Sequence, residues 1–293
     1  MALTTAISVT PFERRYRARL DDLLASSYHV HTHLDWHDAG EWLDAHTAPA
    51  RLAWLDGRLV GLLVVSEPLH AAAWVRLAAV DDAAPARPAL EAMWRDLLPE
   101  LQAAGLGTVS ILAARAWIED YLAGLGFAFD ENVVTLQRSG PPPETAAVPG
   151  LALRQALPAD LAHMAAVDHA AFSPPWQLSL ADLRQAQRVA SSSTVAVLDA
   201  AVVGYQISTL YRDGAHLARL AVAPAAQGQG IGAALVADVI GRFARRGIAL
   251  MTVNTQASNQ RSQRLYRRLG FRHNGYDLPV WTAGIPPQAN TAP

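Results

Sequence analysis

The chain has 293 residues, of which 51% are hydrophobic and 17% are charged, and its formal net charge at pH 7 is −2. This composition is that of a globular protein with one large or two ordinary domains, and the near-neutral charge gives no electrostatic support for binding nucleic acid or an anionic membrane. The chain contains no cysteine, which excludes disulfides, thiolate catalysis and thiol-ligated metals.

The N-terminal region predicts neither a signal peptide nor a membrane anchor. Residues 1–9 are mildly apolar but lack a basic leader, and Glu13, Arg14 and Arg15 follow soon after. No uncharged apolar run approaches the roughly 18 residues that indicate a membrane-spanning helix. We therefore expect a cytoplasmic protein.

The first predicted elements are a helix and a histidine-bearing strand. Thr10, Pro11 and Glu13 form the pattern of a capping box with proline at the first helical position, which predicts a helix beginning at Pro11. Further on, His29, His31, His33 and Asp35 alternate with other residues, which predicts a strand with these side chains on one face.

Three imidazoles and a carboxylate are a donor set that zinc accepts. Alternate side chains on a straight strand are, however, about 6.6 Å apart, so the outer ones meet one ion poorly. We therefore interpret the strand carrying His29, His31 and His33 as a polar or pocket-lining strand and expect no metal.

The chain repeats itself at a nearly constant spacing. Residues 55–61 recur at 198–204 and residues 76–78 recur at 219–221, each 143 positions later, and residues 125–127 recur 144 positions later at 269–271. Such ordered matches predict two copies of one domain.

Residues 139–150 lie between the copies and are rich in proline and glycine, which predicts a semi-rigid linker. We accordingly predict a first domain at 1–139, a linker at 140–150, a second domain at 151–284 and a flexible tail at 285–293.

The second copy has a regular order of predicted elements. The hydrophobic periodicity indicates two helices, three strands, a long helix, a strand, a helix and closing strands. Ser179 and Asp182 form a capping box that begins the second helix. The long helix, at 231–246, ends with arginines at its negative end and Gly247 as the stop signal.

A glycine-rich loop precedes this long helix. Gly228, Gly230 and Gly232 let the backbone turn tightly, and the amides of a loop that opens onto a helix N-terminus bind phosphate with the positive end of the helix dipole behind them. The dinucleotide fingerprint has a different glycine spacing, and a Walker loop needs lysine, which the chain lacks.

The pattern Gln-x-x-Gly-x-Gly at 227–232, after a strand that ends near 222, resembles the acyl-CoA loop of the GCN5-related N-acetyltransferases (GNATs). Residues 259–271 resemble the family's Asn…Leu-Tyr…Leu-Gly-Phe segment, and the order of elements over 150–283 is also similar. The resemblance implies an α/β (α+β) fold with two tandem GNAT-like domains, each a mixed, mostly antiparallel twisted sheet flanked by helices. It also implies acetyl-CoA as co-substrate and no metal.

The first copy lacks the features that carry the resemblance. At 81–88 it has two aspartates, two prolines and no glycine, and Leu122 stands where the second copy has Tyr266. Carboxylates repel a phosphate and proline has no amide donor, so we predict a degenerate copy that does not bind CoA in the usual way. The tandem layout with unequal halves is similar to that of the mycothiol synthases.

The resemblance implies roles for individual residues of the second copy. Main-chain groups at the end of the third strand bind the pantetheine arm and the thioester oxygen, the loop amides hold the diphosphate, and Tyr266 protonates the leaving thiolate. The expected CoA-binding residues are Leu220, Ala221, Val222, Gln227, Gly228, Gln229, Gly230, Ile231, Gly232, Ala233, Asn259, Ser262 and Tyr266.

The general base is not identified by the sequence. Asn254 aligns with a glutamate of the ribosomal-protein N-terminal acetyltransferases, and an amide can orient a substrate but cannot accept a proton. His216 and Asp168 are the weak alternatives, and an amine of low pKa needs no base. Phe172 and Trp176 lie in a segment similar to the Phe-x-x-Pro-Trp segment of the same enzymes. In this chain the segment either contacts the substrate as an aromatic wall or packs Trp176 into the core as an anchor.

We therefore expect an N-acetyltransferase that moves an acetyl group from acetyl-CoA to a primary amine by direct attack in a ternary complex. The acceptor is a small metabolite or a protein N-terminus. A non-catalytic acyl-CoA sensor and a structural protein with an inherited fold are the alternatives. We expect no nucleic-acid or membrane partner, and a homodimer is left open.

Overall fold

The computed structural model describes residues 6–45 and 48–287. Contacts divide the chain into two compact units. Unit 1 comprises Met1–Glu131 and Pro279–Pro293, apart from the residues that are not described, and unit 2 comprises Asn132–Leu278.

Unit 1 contains an antiparallel sheet in which the strands pair in the order β1–β3–β4–β5, and β6 joins β5 in parallel. Helix α3 covers this sheet with a buried stripe of Leu90, Met93, Leu97 and Leu101 at helical spacing. The strands are β1 (Ser8–Pro11), β2 (His29–Thr32), β3 (Ala50–Leu55), β4 (Arg58–Val65), β5 (Ala72–Val80) and β6 (Thr108–Leu112), and the helices are α1 (Arg17–Ser26), α2 (Ala39–Ala45), α3 (Ala86–Ala103) and α4 (Ala116–Leu122).

Unit 2 contains a second mixed sheet, in which β7–β12 and the run β11–β10–β9–β8 pair antiparallel and β11–β12 pair in parallel. Strands β7 and β13 run across the division between the units. The elements are β7 (Ala128–Arg138), β8 (Ala152–Gln155), α5 (Leu161–Ala171), α6 (Leu180–Val189), β9 (Ser192–Leu198), β10 (Ala201–Tyr211), β11 (Gly214–Val222), α7 (Ile231–Ala244), β12 (Met251–Gln256), α8 (Gln260–Arg268) and β13 (Arg272–Gly284).

Each sheet is mixed, mostly antiparallel and flanked by helices, which confirms the predicted fold class. Helices α7 and α8 bury apolar side chains of unit 2 together with β11 and β12, among them Leu217, Val236, Val253 and Phe271. Ser179 caps α6 as predicted, because its Oγ accepts the Asp182 amide at 3.0 Å. None of the described helices has the length and apolar character needed to cross a bilayer.

Each compact unit contains part of the last strand of the other sequence copy: residues 132–138 of β7 lie in unit 2, and residues 279–284 of β13 lie in unit 1. Within unit 2, β7 pairs with β12, with Arg138 opposite Met251. Within unit 1, the end of β13 pairs with β6, with Val280 opposite Leu112. The boundaries 1–139 and 151–284 therefore describe the sequence copies and remain a prediction, while the chain packs along a different division.

Two sequence-based expectations about the ends of unit 1 are wrong. Thr10 and Pro11 belong to strand β1 rather than to a helix cap, and the Thr10 hydroxyl instead accepts a hydrogen bond from Trp54 Nε1 at 2.9 Å. Ile285 is not part of a loose tail: it is 5% exposed, and its amide donates to Gly107 O at 2.9 Å. The rest of the predicted tail, from 288, lies outside the described residues.

The predicted linker, residues 140–150, contains neither helix nor strand. It is nevertheless tied to unit 2 at both ends. Arg138 Nη2 donates to Pro141 O at 2.7 Å, and Val148 packs on the apolar cluster that includes Ile231 and Leu235.

Candidate active site

The glycine-rich loop forms the turn between β11 and α7. Gly228 and Gly230 have φ angles of 85° and 90°, in the left-handed region that favours glycine. Gly230 is the N-cap of α7, and its carbonyl accepts the first helical hydrogen bond, from the Ala234 amide at 3.0 Å. The predicted loop-to-helix geometry is therefore present.

The amides of this loop are available to a ligand. Within the part of the chain that the structure describes, the Gln227 amide donates to Pro224 O at 3.3 Å, but the next six amides have no acceptor. Two of them precede the helix and the others belong to its N-cap and first turn, where amides have no intrahelical partner. The six belong to Gly228, Gln229, Gly230, Ile231, Gly232 and Ala233. Such a row of donors at a helix N-terminus is suited to a diphosphate.

Gly232 lies where the loop, the end of β11 and helix α8 come together. A β-carbon at Gly232 would lie 3.3 Å from Leu265 Cδ2, 3.8 Å from Val222 Cγ2 and 4.0 Å from Leu220 Cδ2. Three of the predicted segments therefore form one surface. Asn259, the N-cap of α8, accepts the Ser262 amide on its side-chain oxygen at 3.0 Å.

No strand in the described part of the chain pairs with the edge of β11 beside the loop. Strand β12 pairs with β11 only at Ala215, His216 and Leu217. From Ala218 onward, no described strand occupies that edge, and Leu220 and Val222 are partly exposed while Ala221 is buried. An unpaired strand edge offers amide and carbonyl groups to an extended ligand.

Arg261 is a charged residue beside the loop that the sequence analysis missed. Its guanidinium donates to Gln227 Oε1, while Gln227 Nε2 donates to Val222 O at 2.9 Å. Arg261 is exposed on α8 and has no carboxylate partner among the described residues. It was overlooked because α8 carries several arginines and the repeat gives no reason to prefer one of them.

Tyr266 lies in the core of unit 2 next to this surface. It is 4% exposed, and its ring centroid is 5.6 Å from that of Phe271. No described residue bonds to its hydroxyl. Burial raises the pKa of Tyr266 well above its usual value, and the positive charge of Arg219 opposes this rise. The phenol is therefore protonated at neutral pH and able to donate a hydrogen bond.

The two other predicted catalytic residues lie on β11 and β12. The Nδ1 atom of His216 is 2.8 Å from Thr252 Oγ1, and burial lowers the pKa of His216 to about 4. This imidazole is thus neutral at pH 7 and only weakly basic. Asn254 is exposed on β12, where its amide can contact a substrate.

Asp168 is part of a buried polar network and is not accessible as a general base. Its carboxylate accepts two hydrogen bonds from Arg219 at 2.8 Å, one from Tyr205 Oη at 2.5 Å and one from the Leu178 amide at 2.9 Å. Asp168 and Tyr205 are both completely buried. Burial and the adjacent carboxylate raise the pKa of Tyr205 well above its usual value.

Arg219 also fixes the segment that carries Phe172 and Trp176. Its Nη2 donates to Trp176 O at 2.7 Å, and its guanidinium carbon lies 3.6 Å from the centroid of the Phe172 ring. The Phe172 and Trp176 segment is therefore held against β11. The sequence shows Arg219 only as part of a repeated tripeptide, and its pairing with Asp168, 51 positions away, has no local signal.

We expect replacement of Arg219 by leucine to lower the free energy of unfolding by about 3 kcal/mol, because it removes the guanidinium that binds the buried side chain of Asp168. The matched control is Arg242→Leu, which breaks a partly exposed pair with Asp238. That control should cost less than about 1 kcal/mol. Urea unfolding measures the free energy of unfolding of both variants. Equal losses of stability would show that the buried Arg219–Asp168 pair matters no more than the partly exposed pair.

The histidine strand forms, but it is shorter than predicted. Strand β2 ends at Thr32, and Asp35 adopts a left-handed φ of 51°, so the four side chains do not share one face. Among the described residues, no group of three or more histidine, aspartate or glutamate side chains is arranged to hold a metal.

Comparisons with known proteins agree with the geometry of this site. Residues 161–271 match the acetyltransferase (GNAT) family model. The [ribosomal protein bS18]-alanine N-acetyltransferase of Haemophilus ducreyi is 34% identical over 83 residues, covering 27% of this chain and 57% of that protein. The Escherichia coli protein of the same name is 36% identical over 70 residues, covering 24% of this chain and 47% of that protein. The chain thus spans about half the length of the curated relatives it matches.

Solved structures extend the similarity to the whole fold. A tandem GNAT protein from the clavulanic acid biosynthesis pathway has a TM-score of 0.65 at 17% identity, over 96% of this chain and 99% of that one. A GCN5-related N-acetyltransferase from Sphaerobacter thermophilus has a TM-score of 0.59 at 16% identity, over 96% of both chains. Residues 161–271 therefore match the GNAT acetyltransferase family model, and the chain has the fold of a tandem GNAT protein.

Proposed function

We propose that unit 2 transfers an acetyl group from acetyl-CoA to a primary amine by direct attack within a ternary complex. The six unpartnered amides from Gly228 to Ala233 carry this proposal, because a diphosphate is the ligand that such a row of donors suits. The unpaired edge of β11 supports it, since the pantetheine arm has amide groups that pair with a strand edge.

Different groups of unit 2 act on the thioester oxygen, the leaving sulfur and the acceptor amine. An amide on the open edge near Leu220, Ala221 or Val222 stabilises the oxyanion that forms on the thioester carbonyl. Tyr266 donates its hydroxyl proton to the departing sulfur as the carbon–sulfur bond breaks, and the proton that the amine loses on attack passes through water to the Tyr266 phenolate, which restores the hydroxyl. Asn254 orients the acceptor. The chain has no cysteine that could carry an acetyl-enzyme intermediate on sulfur, so the amine attacks the thioester itself.

The acceptor is proposed to be an α-amine rather than a lysine side chain. Of the two base candidates, His216 has a pKa near 4 and Asp168 is fully engaged by Arg219, Tyr205 and Leu178. Attack requires a neutral amine, and an α-amine with a pKa of about 8 is partly neutral at pH 7, whereas a lysine amine near 10.4 is almost entirely charged. The curated relatives are named for acetylating an alanine of a ribosomal protein, which agrees with this class.

An acceptor screen that measures release of free CoA tests the proposal. The acceptors are a peptide with a free N-terminus, the same peptide with a blocked N-terminus and one lysine, and a panel of small primary amines. Turnover with an α-amine supports the proposal, and binding of acetyl-CoA without turnover on any acceptor would favour a sensor instead.

Arg261 is proposed to contact the phosphates of acetyl-CoA. We expect Arg261→Ala to raise KM for acetyl-CoA about fivefold without changing kcat, because a charge-assisted hydrogen bond to the ligand is lost. Arg264→Ala, also exposed on α8, is the matched control and should leave KM unchanged.

Steady-state kinetics with acetyl-CoA and with S-acetylpantetheine, which lacks the diphosphate, measure this effect. The difference between Arg261→Ala and the parent enzyme should vanish with S-acetylpantetheine. An equal effect on both donors would show that Arg261 does not act on the phosphates.

A further inference from the structure

In each unit, two parallel strands of the sheet separate, and they do so at equivalent positions of the two sequence copies. In unit 2, β12 pairs with β11 at residues 215–217 and no further. In unit 1, β6 pairs with β5 at residues 72–74, the positions 143 earlier, and no further. Each unit therefore has a point at which two parallel strands separate and leave one edge of the first strand unpaired by the second.

Strand β2 occupies this edge in unit 1. It pairs antiparallel with β5, with His29 opposite Val80 and Thr32 opposite Leu77. Strand β4 pairs with β5 at the same residues and so takes its other edge. The edge that β2 covers, at Leu77–Val80, is equivalent to residues 220–223 of unit 2.

Both ends of β2 are anchored by side chains. The carboxylate of Asp82 accepts the amides of Tyr28, at 3.0 and 3.1 Å, and of His29, at 3.2 Å, and the Tyr28 amide is the main cause that lowers the pKa of Asp82. Beyond the strand, Arg76 Nη1 donates to His33 O and to Asp35 Oδ2, both at 2.9 Å. Asp82 belongs to the segment that replaces the glycine-rich loop in this copy.

Burial distinguishes the filled edge from the open one. Leu77, Ala78, Ala79 and Val80 are all completely buried, as is the imidazole of His31. The equivalent residues of unit 2 are partly exposed, apart from Ala221. Burial, with the nearby His33, lowers the pKa of His31 to about 4, so this side chain is neutral at pH 7 and suited to a closed interior.

The connection between the first two helices explains how β2 reaches the edge. In unit 1 it runs from 27 to 38, whereas in unit 2 it runs only from 172 to 179. In both units the equivalent arginine binds a main-chain carbonyl of this connection, Arg76 at His33 and Arg219 at Trp176. The longer connection of unit 1 has room to insert a strand, and the shorter one of unit 2 leaves the edge of β11 open.

We propose that β2 is a built-in occupant of the donor cleft of unit 1. Its peptide groups take the strand-edge pairing that, on the function proposed above, unit 2 offers to the pantetheine arm. Asp82, which anchors β2, lies in the segment that replaces the diphosphate-binding loop in this copy. The histidine strand thus closes a former ligand site, and the chain binds one acyl-CoA.

Two measurements on the intact chain test this proposal. Calorimetric titration with acetyl-CoA should give one site per chain, and amide exchange followed by NMR should show slow exchange of His29 and His31 that acetyl-CoA does not change. A second site, or faster exchange of these amides on adding acetyl-CoA, would show that β2 leaves the cleft for the ligand and would overturn the proposal.

A failure of the proposed function would be recognisable separately. If acetyl-CoA does not bind, slow exchange of the His31 amide in the free protein still supports β2 as the occupant of the cleft. Exchange of that amide as fast as the amides at 228–233 overturns it.

Asp82→Ala tests the anchor without altering the strand itself. The amides of Tyr28 and His29 should exchange at least tenfold faster in this variant. Asp81→Ala is the matched control, because the hydrogen bonds that the Asp81 carboxylate accepts come from Arg58 and Ala83 rather than from β2. Equal exchange in the two variants would contradict the anchoring role of Asp82.

Discussion

Replacement of Tyr266 by phenylalanine is expected to lower kcat for acetyl transfer by about 100-fold or more while the affinity for acetyl-CoA is retained. The variant keeps the ring that packs on Phe271 and removes only the hydroxyl, so the core of unit 2 should be unaffected. Because burial raises the pKa of Tyr266, its hydroxyl should stay protonated, and the rate should not fall through its ionisation below about pH 10.

Stopped-flow or steady-state assays of CoA release, combined with calorimetric binding, measure this effect. Tyr211→Phe is the matched control, since Tyr211 is 63% exposed at the end of β10. If Tyr266→Phe kept the kcat of the parent enzyme, the thiolate would receive its proton from another donor, and Tyr266 would be a packing residue only.

A single negative charge in the glycine-rich loop is expected to abolish most of the affinity for acetyl-CoA. Gly228 is exposed with a φ of 85°, and a β-carbon there would have no neighbour within 4 Å. Asparagine and aspartate tolerate this conformation best among residues with side chains. Gly228→Asp and Gly228→Asn therefore have the same shape and differ in one charge.

We expect Gly228→Asp to bind acetyl-CoA at least tenfold more weakly than Gly228→Asn, because its carboxylate repels the diphosphate. The difference should shrink in high salt, which screens exposed charges. Titration at low and high ionic strength measures both effects. Equal affinities for the two variants would mean that the phosphates bind elsewhere.

Local patterns in the sequence predicted those parts of the site that are contiguous in the chain. The loop at 227–232, the α7 helix that follows it and the capping box at Ser179 each carry their signal within a few residues, and the structure has all three. The tandem repeat likewise predicted two GNAT-like halves. These features depend on backbone propensity and local hydrogen bonds, which a sequence shows directly.

Features that depend on tertiary pairing could not be predicted. Thr10 and Pro11 have the local pattern of a helix start, yet pairing with β3 makes them a strand. Arg219 binds Asp168, 51 positions away, and Arg261 binds Gln227, 34 positions away. No periodic pattern in the sequence indicates either pairing. The repeat also does not show that the end of β7 lies in unit 2 and the end of β13 in unit 1, because each strand keeps the sequence pattern of its own copy.

The strand at His29–Thr32 was predicted from the sequence, but its pairing partner was not. Its alternating histidines are a genuine strand pattern, and the strand forms. Its pairing with β5 depends on the long connection at residues 27–38 and on Asp82, 53 positions beyond His29. Neither feature indicates, in the sequence alone, that this strand would pair with β5.

A crystal structure of the protein with CoA would show which groups bind the diphosphate. We expect diphosphate oxygens within about 2.7–3.2 Å of several amide nitrogens of residues 228–233, with the pantetheine arm along the open edge of β11. A diphosphate bound away from these amides, or a loop whose amides turn inward to protein acceptors, would contradict this expectation.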